Sequence, residues 1–308
     1  MENLDLYKNR SFTVCIRDGY ALLITHLKSI FKKTSIPALA LALIATVVIT
    51  INMPDRTIHD IGMARPITTF ILLIAVAVLL LAAIVWHASV AVRIFNEKPL
   101  KTNLMRMALV MLFCIVLDIV GTLITSGTGK LILKSMGGTK ESLGSAIIVA
   151  IGATVIVGIL LFVVFLPFVH SCLRYVVDTK TTLCQFFKRD YRCGWRHWGF
   201  LFIVLFLITL ITSVLMMVIM VPFGIIFASQ LSNQLGMLDG DASGVPTYFP
   251  YLFFLTTIVT MFILSYVCLW IYFVMVYACT SIITQDKERE EQRQQNTTLN
   301  DLQDSSLQ

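Results

Sequence analysis

Charge is scarce in this sequence, 14% of residues against 57% apolar, and it is missing from long stretches altogether. A mean hydropathy of +0.83 excludes an ordinary soluble globular domain. About 20 apolar residues in a helix cross a hydrocarbon layer of roughly 30 Å. A Lys, Arg or Asp at its centre costs about 2.5–3.5 kcal/mol even on the lenient insertion scale. Six stretches meet the requirement: 36–52, 67–92, 107–125, 146–169, 199–228 and 251–283. None of the 24 Lys and Arg residues falls inside them, and of the 18 acids only Asp118 does. The expected fold class is all-α: a polytopic membrane helix bundle with six transmembrane helices, arranged as three hairpins with cytoplasmic lead-in segments.

Other absences narrow the chemistry. The seven cysteines are odd in number and form no C-x-x-C pair, which argues against a disulfide scaffold and for reduced thiols. There is no H-E-x-x-H, G-x-S-x-G or Walker loop, nor the paired intramembrane acids of an aspartyl protease, so the enzyme reading is weakened. His170, Cys172, Cys184, Cys193 and His197 are zinc-type residues, but they lack the closely paired ligands of a structural site. No metal and no cofactor is expected. The stretch from Ser229 to Pro250 has two acids, Asp239 and Asp241, and no base. It reads as an external loop whose D-G-D triplet is a solvated turn, short of the oxygen ligands calcium needs. The 35 residues before the first apolar run carry no signal-peptide pattern, so the first span is expected to remain in the mature chain.

The bases are distributed unevenly. Six precede the first span, four lie between the second and third, six between the fourth and fifth, and three follow the last. The alternate connections hold two, three and none. Positive segments stay in the cytoplasm, which places both termini there. Domain organisation follows: a lead-in over 1–35, the six-span region over 36–283 with an interfacial helix at 180–198, and a tail over 284–308 whose polar composition reads as largely disordered.

Two lead-ins have helical amphipathic spacing. In the first, Phe12, Ile16, Tyr20, Leu23, Leu27 and Phe31 form the apolar stripe, with Arg17, Lys28 and Lys32 opposite. In the second, Leu183, Phe187, Tyr191, Trp195 and Trp198 are apolar and Lys188, Arg189, Arg192 and Arg196 basic. Such helices lie in the headgroup layer and bind anionic lipid, which makes Arg17, Lys28, Lys32, Lys188, Arg189, Arg192, Trp195, Arg196 and Trp198 candidate membrane-surface residues. The middle lead-in, 93–106, is interrupted by Pro99. Arg17-Asp18-Gly19-Tyr20 and Arg189-Asp190-Tyr191 echo one another, either as an internal repeat or as two answers to the same anionic surface.

Within the spans, Asp118 stands out because an intramembrane acid is a site hypothesis by default. Cys114, Asp118, Gly121, Thr122 and Thr125 share one helical face, which is expected to turn into protein. Asp118 with Thr122 and Thr125 is then either a proton carrier or a structural hydrogen-bonding group. His87, the other ionisable group at depth, is a candidate member of the same polar site, its alternative being a histidine that snorkels to the interface. Ala146, Ala150, Thr154 and Gly158 make a packing seam, with Ala38, Ala42, Ala45 and Ala75, Ala82, Ser89 as counterparts. Pro222 should kink the fifth span. Phe262, Tyr266, Trp270, Phe273 and Tyr277 form a stripe that either packs, faces lipid or lines a pathway.

The basic and aromatic lead-in from Arg189-Asp190-Tyr191 to Trp195-Arg196-His197-Trp198, entering a long apolar span, resembles that of uncharacterised six-span bacterial membrane families. It is also similar in organisation to the membrane-embedded domain attached to some glycerophosphodiester phosphodiesterases. The resemblance implies a bacterial inner-membrane protein and carries over no catalytic residue. Two functions stay open: a non-enzymatic membrane-organising or envelope-accessory protein, and a small-solute or proton-coupled transporter using Asp118. Partners implied are membrane lipids, anionic headgroups among them, and a membrane-protein partner or a second copy; nucleic acid is not among them. The basic asymmetry makes a direct prediction: alkaline phosphatase fused after Gln308 is expected to be inactive and a fluorescent protein there bright, and the reverse would overturn the topology.

Overall fold

The computed structural model describes residues 6–52, 67–96, 98–136, 140–178, 181–240 and 244–306. Among the described residues the chain is helical with no strand: α1 (Phe12–Thr25), α2 (Leu27–Asn52), α3 (Ile67–Asn96), α4 (Leu100–Met136), α5 (Lys140–Val177), α6 (Leu183–Gln185), a π-helical turn (Phe186–Asp190), α7 (Tyr191–Arg196), α8 (Trp198–Ile219), α9 (Val221–Leu238) and α10 (Phe249–Ser306). Six of these are long and apolar enough to cross a membrane, and the chain is an all-α, multi-pass membrane protein. The first expected external connection, 53–66, lies outside the described residues. Two compact units divide the chain, one of residues 13–104 and 205–274, the other of 1–12, 105–204 and 275–308.

In the first unit α1 buries Cys15, Gly19 and Leu22 and leaves Phe12, Tyr20 and Ile24 exposed. Gly19 is required here by close approach: a Cβ would sit 2.5 Å from Val274 Cγ2 and 3.0 Å from the Val274 backbone nitrogen. α2 pairs with α3. Its buried run is Ala38, Ala42 and Thr46, spaced by four, with Thr46 in place of the expected Ala45. On α3 the buried positions include Val76, Ala83, Val85, His87 and Ser89, followed by Ala91, Val92, Ile94 and Phe95 near its end. Ala75 and Ala82 are exposed, one residue off the expected seam, because branched side chains serve the contact as well as alanine. The middle lead-in is no separate helix: α3 ends, α4 begins at Leu100, and the side-chain amides of Asn96 and Asn103 exchange hydrogen bonds of 2.9 and 3.0 Å across the turn.

α10 is the best covered of the helices. Its Phe262 and Tyr266 pack on Phe31, the latter stacked at 5.6 Å, and Phe273 meets Phe95 edge-on at 5.3 Å. The aromatic stripe is packing. Pro222 does more than kink the fifth span: α8 ends at Ile219 and α9 restarts at Val221 with the proline in its first turn, where its missing donor costs least. The stretch 199–228 is therefore parts of two helices. α9 continues to Leu238, through the first part of what reads in sequence as loop, and Gly240 then takes φ +92°, a left-handed conformation suited to glycine. Asp241 lies outside the described residues.

The second unit is built on the antiparallel α4–α5 hairpin. Phe165 and Thr154 of α5 lie opposite Gly121 and Gly129 of α4, and Phe113 meets Phe168 at 5.2 Å. Ala146 and Ala150 are buried and Thr154 half-buried, as the seam requires; Gly158 has open space where a Cβ would point. The N-terminal segment lies along α10: the Arg10 amide donates to Ser281 Oγ at 2.9 Å, the Ser281 hydroxyl donates to the Arg10 carbonyl at 3.0 Å, and the Arg10 guanidinium covers the Tyr277 ring at 4.8 Å. In the tail, expected to be largely disordered over 284–308, the described residues continue α10 as helix to Ser306; Lys, Arg, Glu and Gln are good helix formers. Gly19→Ala is expected to destabilise the protein by about 1–3 kcal/mol. Thermal unfolding in detergent would register this, with Gly152→Ala, whose Cβ meets nothing within 4 Å, as the unaffected control.

Candidate functional site

The site grows from the end of α5. Arg106 of α4 donates to the carbonyls of Tyr175 and Asp178 at 2.6 and 3.1 Å, and its guanidinium covers the Tyr175 ring at 4.7 Å. It thereby caps the exposed carbonyls at the α5 C-terminus. The chain then turns into α6, whose first turn is closed by Thr182 N–H donating to Gln185 Oε1 at 3.2 Å. Phe186 of the π-helical turn is buried between Phe113 and Phe168, and Tyr191 packs on Phe168 at 4.5 Å. This aromatic cluster seats the turn on the hairpin.

α7 then runs beside α5 at the level of its apolar residues. The Tyr191 hydroxyl donates to the Val164 carbonyl and Trp198 Nε1 to that of Val163, each at 3.2 Å. Gly194 allows the approach: a Cβ there would lie 2.7 Å from the Pro167 carbonyl oxygen. The inner face of the segment is Phe186, Asp190, Cys193, Gly194 and His197. The expected apolar stripe points elsewhere, with Leu183 and Phe187 each 53% and Trp195 49% exposed.

Two acids organise the bases. Asp190, 1% exposed, bridges Arg174 of α5 at 2.9 Å; burial pushes its carboxyl upward, with Arg174 and Arg189 pulling against that. Asp286 of α10 pairs with Arg196, meets His197 Nε2 at 2.8 Å and accepts from Cys193 Sγ at 2.9 Å. Burial, then the Asp286 carboxylate, push the Cys193 thiol up to about 12. His170, fully buried behind this group, has neither ring nitrogen hydrogen-bonded among the described residues.

Around these acids opens a cavity of about 980 Å³, walled by Arg174, the π-helical turn, α7 and the Ile283–Glu290 stretch of α10. Six bases line it, Arg174, Lys188, Arg189, Arg192, Arg196 and Lys287, against two acids, Asp286 and Glu290. Phe187, Tyr191, Trp195 and Ile283 supply apolar wall. Such a concave basic and aromatic surface can hold an anion with an apolar appendage.

The structure therefore gathers Lys188, Arg189, Arg192, Trp195 and Arg196 into one site. Trp198 is outside it, half-buried and stacked on Phe202 at 5.1 Å. Arg17, Lys28 and Lys32 are exposed and line no part of this cavity. Among the described residues Arg17 pairs with its neighbour Asp18 at 3.3 Å, whereas Asp190 pairs with Arg174, so the two Arg-Asp echoes play different parts. Asp118 and Thr122 are exposed on α4, and Thr125, half-buried, donates to the Gly121 carbonyl at 2.9 Å. This corrects the expectation that their face turns inward: Leu112, Val116, Ile119 and Leu123 opposite are exposed too, because α4 is covered on little of its circumference. His87 is buried rather than snorkelling.

Arg106, Arg174, Asp190 and Asp286 are among the site residues the sequence did not disclose. An acid amid bases, as Asp190 is in Lys188-Arg189-Asp190, was the available signal. Among the described residues no group of His, Cys, Asp and Glu is assembled to hold a metal; Cys172 contacts Cys114 instead. No family model matches the chain, and no curated protein or solved structure is similar to it. The raised Cys193 thiol predicts that maleimide near pH 8 modifies exposed Cys184 readily and Cys193 slowly, because little of the latter is thiolate. Peptide mapping by mass spectrometry reads both, and labelling of Cys193 at the Cys184 rate would refute the arrangement.

Proposed function

We propose that the chain is a non-enzymatic, membrane-organising protein of the bacterial inner membrane, with cytoplasmic termini, that grips the anionic inner leaflet through the α6–α7 segment. One observation carries this reading. Lys188 and Arg192, which have no ion pair among the described residues, stand beside the exposed Leu183, Phe187 and Trp195 on a segment bonded alongside the apolar run of α5. Apolar residues entering the acyl boundary with bases at headgroup level are the composition of an interfacial anchor, and each base near an anionic leaflet contributes about 1 kcal/mol. The basic excess on the same side of the spans supports the orientation.

The transport alternative lacks comparable support, since Asp118 lies among exposed Leu and Val side chains rather than at a convergence of polar groups. The test is the association of spin-labelled lipids with the reconstituted protein. Phosphatidylglycerol is expected to associate several-fold more strongly than phosphatidylcholine, with the preference falling at high salt and in Lys188→Glu/Arg192→Glu. Equal association of the two lipids would end the proposal.

A further inference from the structure

We infer that the cavity between the π-helical turn, α7 and α10 is a discrete site for one lipid whose headgroup bears a phosphomonoester or diphosphate, a ligand with about two negative charges. This rests on the leaflet reading above but goes beyond it: a general grip needs only surface charge, whereas a site selects one headgroup.

The selection follows from how the bases are paired. Arg174 and Arg196 have their own carboxylates, Asp190 and Asp286, which hold them in place and offset their charge. Lys188, Arg189, Arg192 and Lys287 have no ion pair among the described residues and line the same cavity, with Glu290 the remaining acid in its wall. Four cations without their own carboxylate, offset only by Glu290, around one concavity favour a compact dianion over a spread monoanion, because a concentrated charge draws on several of them at once. A phosphomonoester carries about −1.5 to −2 at neutral pH, a phosphodiester one charge. The Arg192 guanidinium adds the fork geometry that phosphate oxygens accept.

The apolar part of the wall assigns the ligand to the bilayer. Phe187, Trp195 and Ile283 contribute to the cavity, and Tyr191 of α7 and Trp198 at the start of α8 donate to the Val164 and Val163 carbonyls, within the apolar run of α5. A soluble phosphate would leave those side chains unused. The volume, about 980 Å³, is at the upper end of ordinary ligand pockets and accommodates a headgroup with its first methylenes.

The experiment uses the full chain in phosphatidylcholine nanodiscs, with Trp86, Trp198 and Trp270 changed to Phe so that Trp195 reports alone. Chain-brominated phosphatidic acid and phosphatidylglycerol are titrated at matched surface charge. Phosphatidic acid is expected to quench at about tenfold lower mole fraction, an advantage lost in Lys188→Gln/Arg192→Gln and unaffected by millimolar inorganic phosphate. Native mass spectrometry of the unmodified protein provides a second reading that needs no Trp replacement, with one phosphatidic acid retained where phosphatidylglycerol is lost. Equal quenching and equal retention by the two anionic lipids, both above phosphatidylcholine, would overturn the site while the leaflet reading stands. Displacement by inorganic phosphate or by polyglutamate would overturn it in favour of a soluble anion or an acidic protein. Loss of any preference over phosphatidylcholine would overturn both.

Discussion

Ionised groups are so much better solvated by water than by hydrocarbon that their placement governs everything else in this molecule. With the spans stripped of bases, polar chemistry is confined to the helix ends, and there it is concentrated. Arg106 caps α5, Arg174 reaches Asp190, and Asp286 collects Arg196, His197 and Cys193. The two acids are unequal in kind. Asp190 is sealed in, and removing its partner would leave an uncompensated buried charge, which is strongly destabilising. Asp286 sits where water reaches, so it can share its oxygens among three donors without the same penalty. The outcome is a fixed basic surface rather than a flexible one: the arginines that hold the fold are neutralised, and those left over face outward.

α10 supplies the other half of the framework. In one unit its Phe262–Val274 stretch receives Phe31, Phe95 and the close-packed Gly19. In the other its continuation receives Arg10 and presents Asp286. Buried small and polar residues such as Ala278, Cys279, Thr280 and Ser281 let neighbouring backbone come near, which is what drives association where apolar surface alone gives no advantage. The N-terminal segment's reciprocal bond with Ser281 is an instance, a main-chain group satisfied by a side chain inside an otherwise apolar helix.

How much of this could be read from the sequence depended on which solvent surrounds each residue. The spans are legible because hydrocarbon disfavours charge, so that no base and only one acid, Asp118, falls in the six apolar stretches, and each stretch holds most of a helix. Helix faces are not, because in lipid the outward side is as apolar as the inward one. So Ala75 and Ala82 were taken for a seam that runs through Val76 and Ala83, and Asp118 was assigned inward although its helix is bare. Spacing sets the bases of the second lead-in on a stripe apart from Trp195, whereas Lys188, Arg189, Arg192, Arg196 and Trp195 line one cavity together. What organises them was hidden, since Asp190 and Arg174 are 16 residues apart on different elements and Asp286 falls in a stretch whose composition looked like a tail. Pro222 was recognised as a disruption, but a break and a kink have the same local signal; the distinction depends on whether the helix after it has a start of its own.

The length of the α4–α5 hairpin has a further consequence. α4 runs 37 residues and α5 38, about 55 Å each at 1.5 Å per residue, while the apolar span within α4, 107–125, which holds no base and one acid, Asp118, is 19 residues, or about 29 Å. That match to a hydrocarbon thickness of roughly 30 Å leaves little reason for tilt, so the surplus must project. The hairpin end bearing Lys130 and Lys134 then stands about two to three helical turns clear of the acyl region, on the side away from Arg106. Bilayer thickness would be registered at that end, because a thicker membrane would draw the lysines toward the headgroups and a thinner one would lift them further into water.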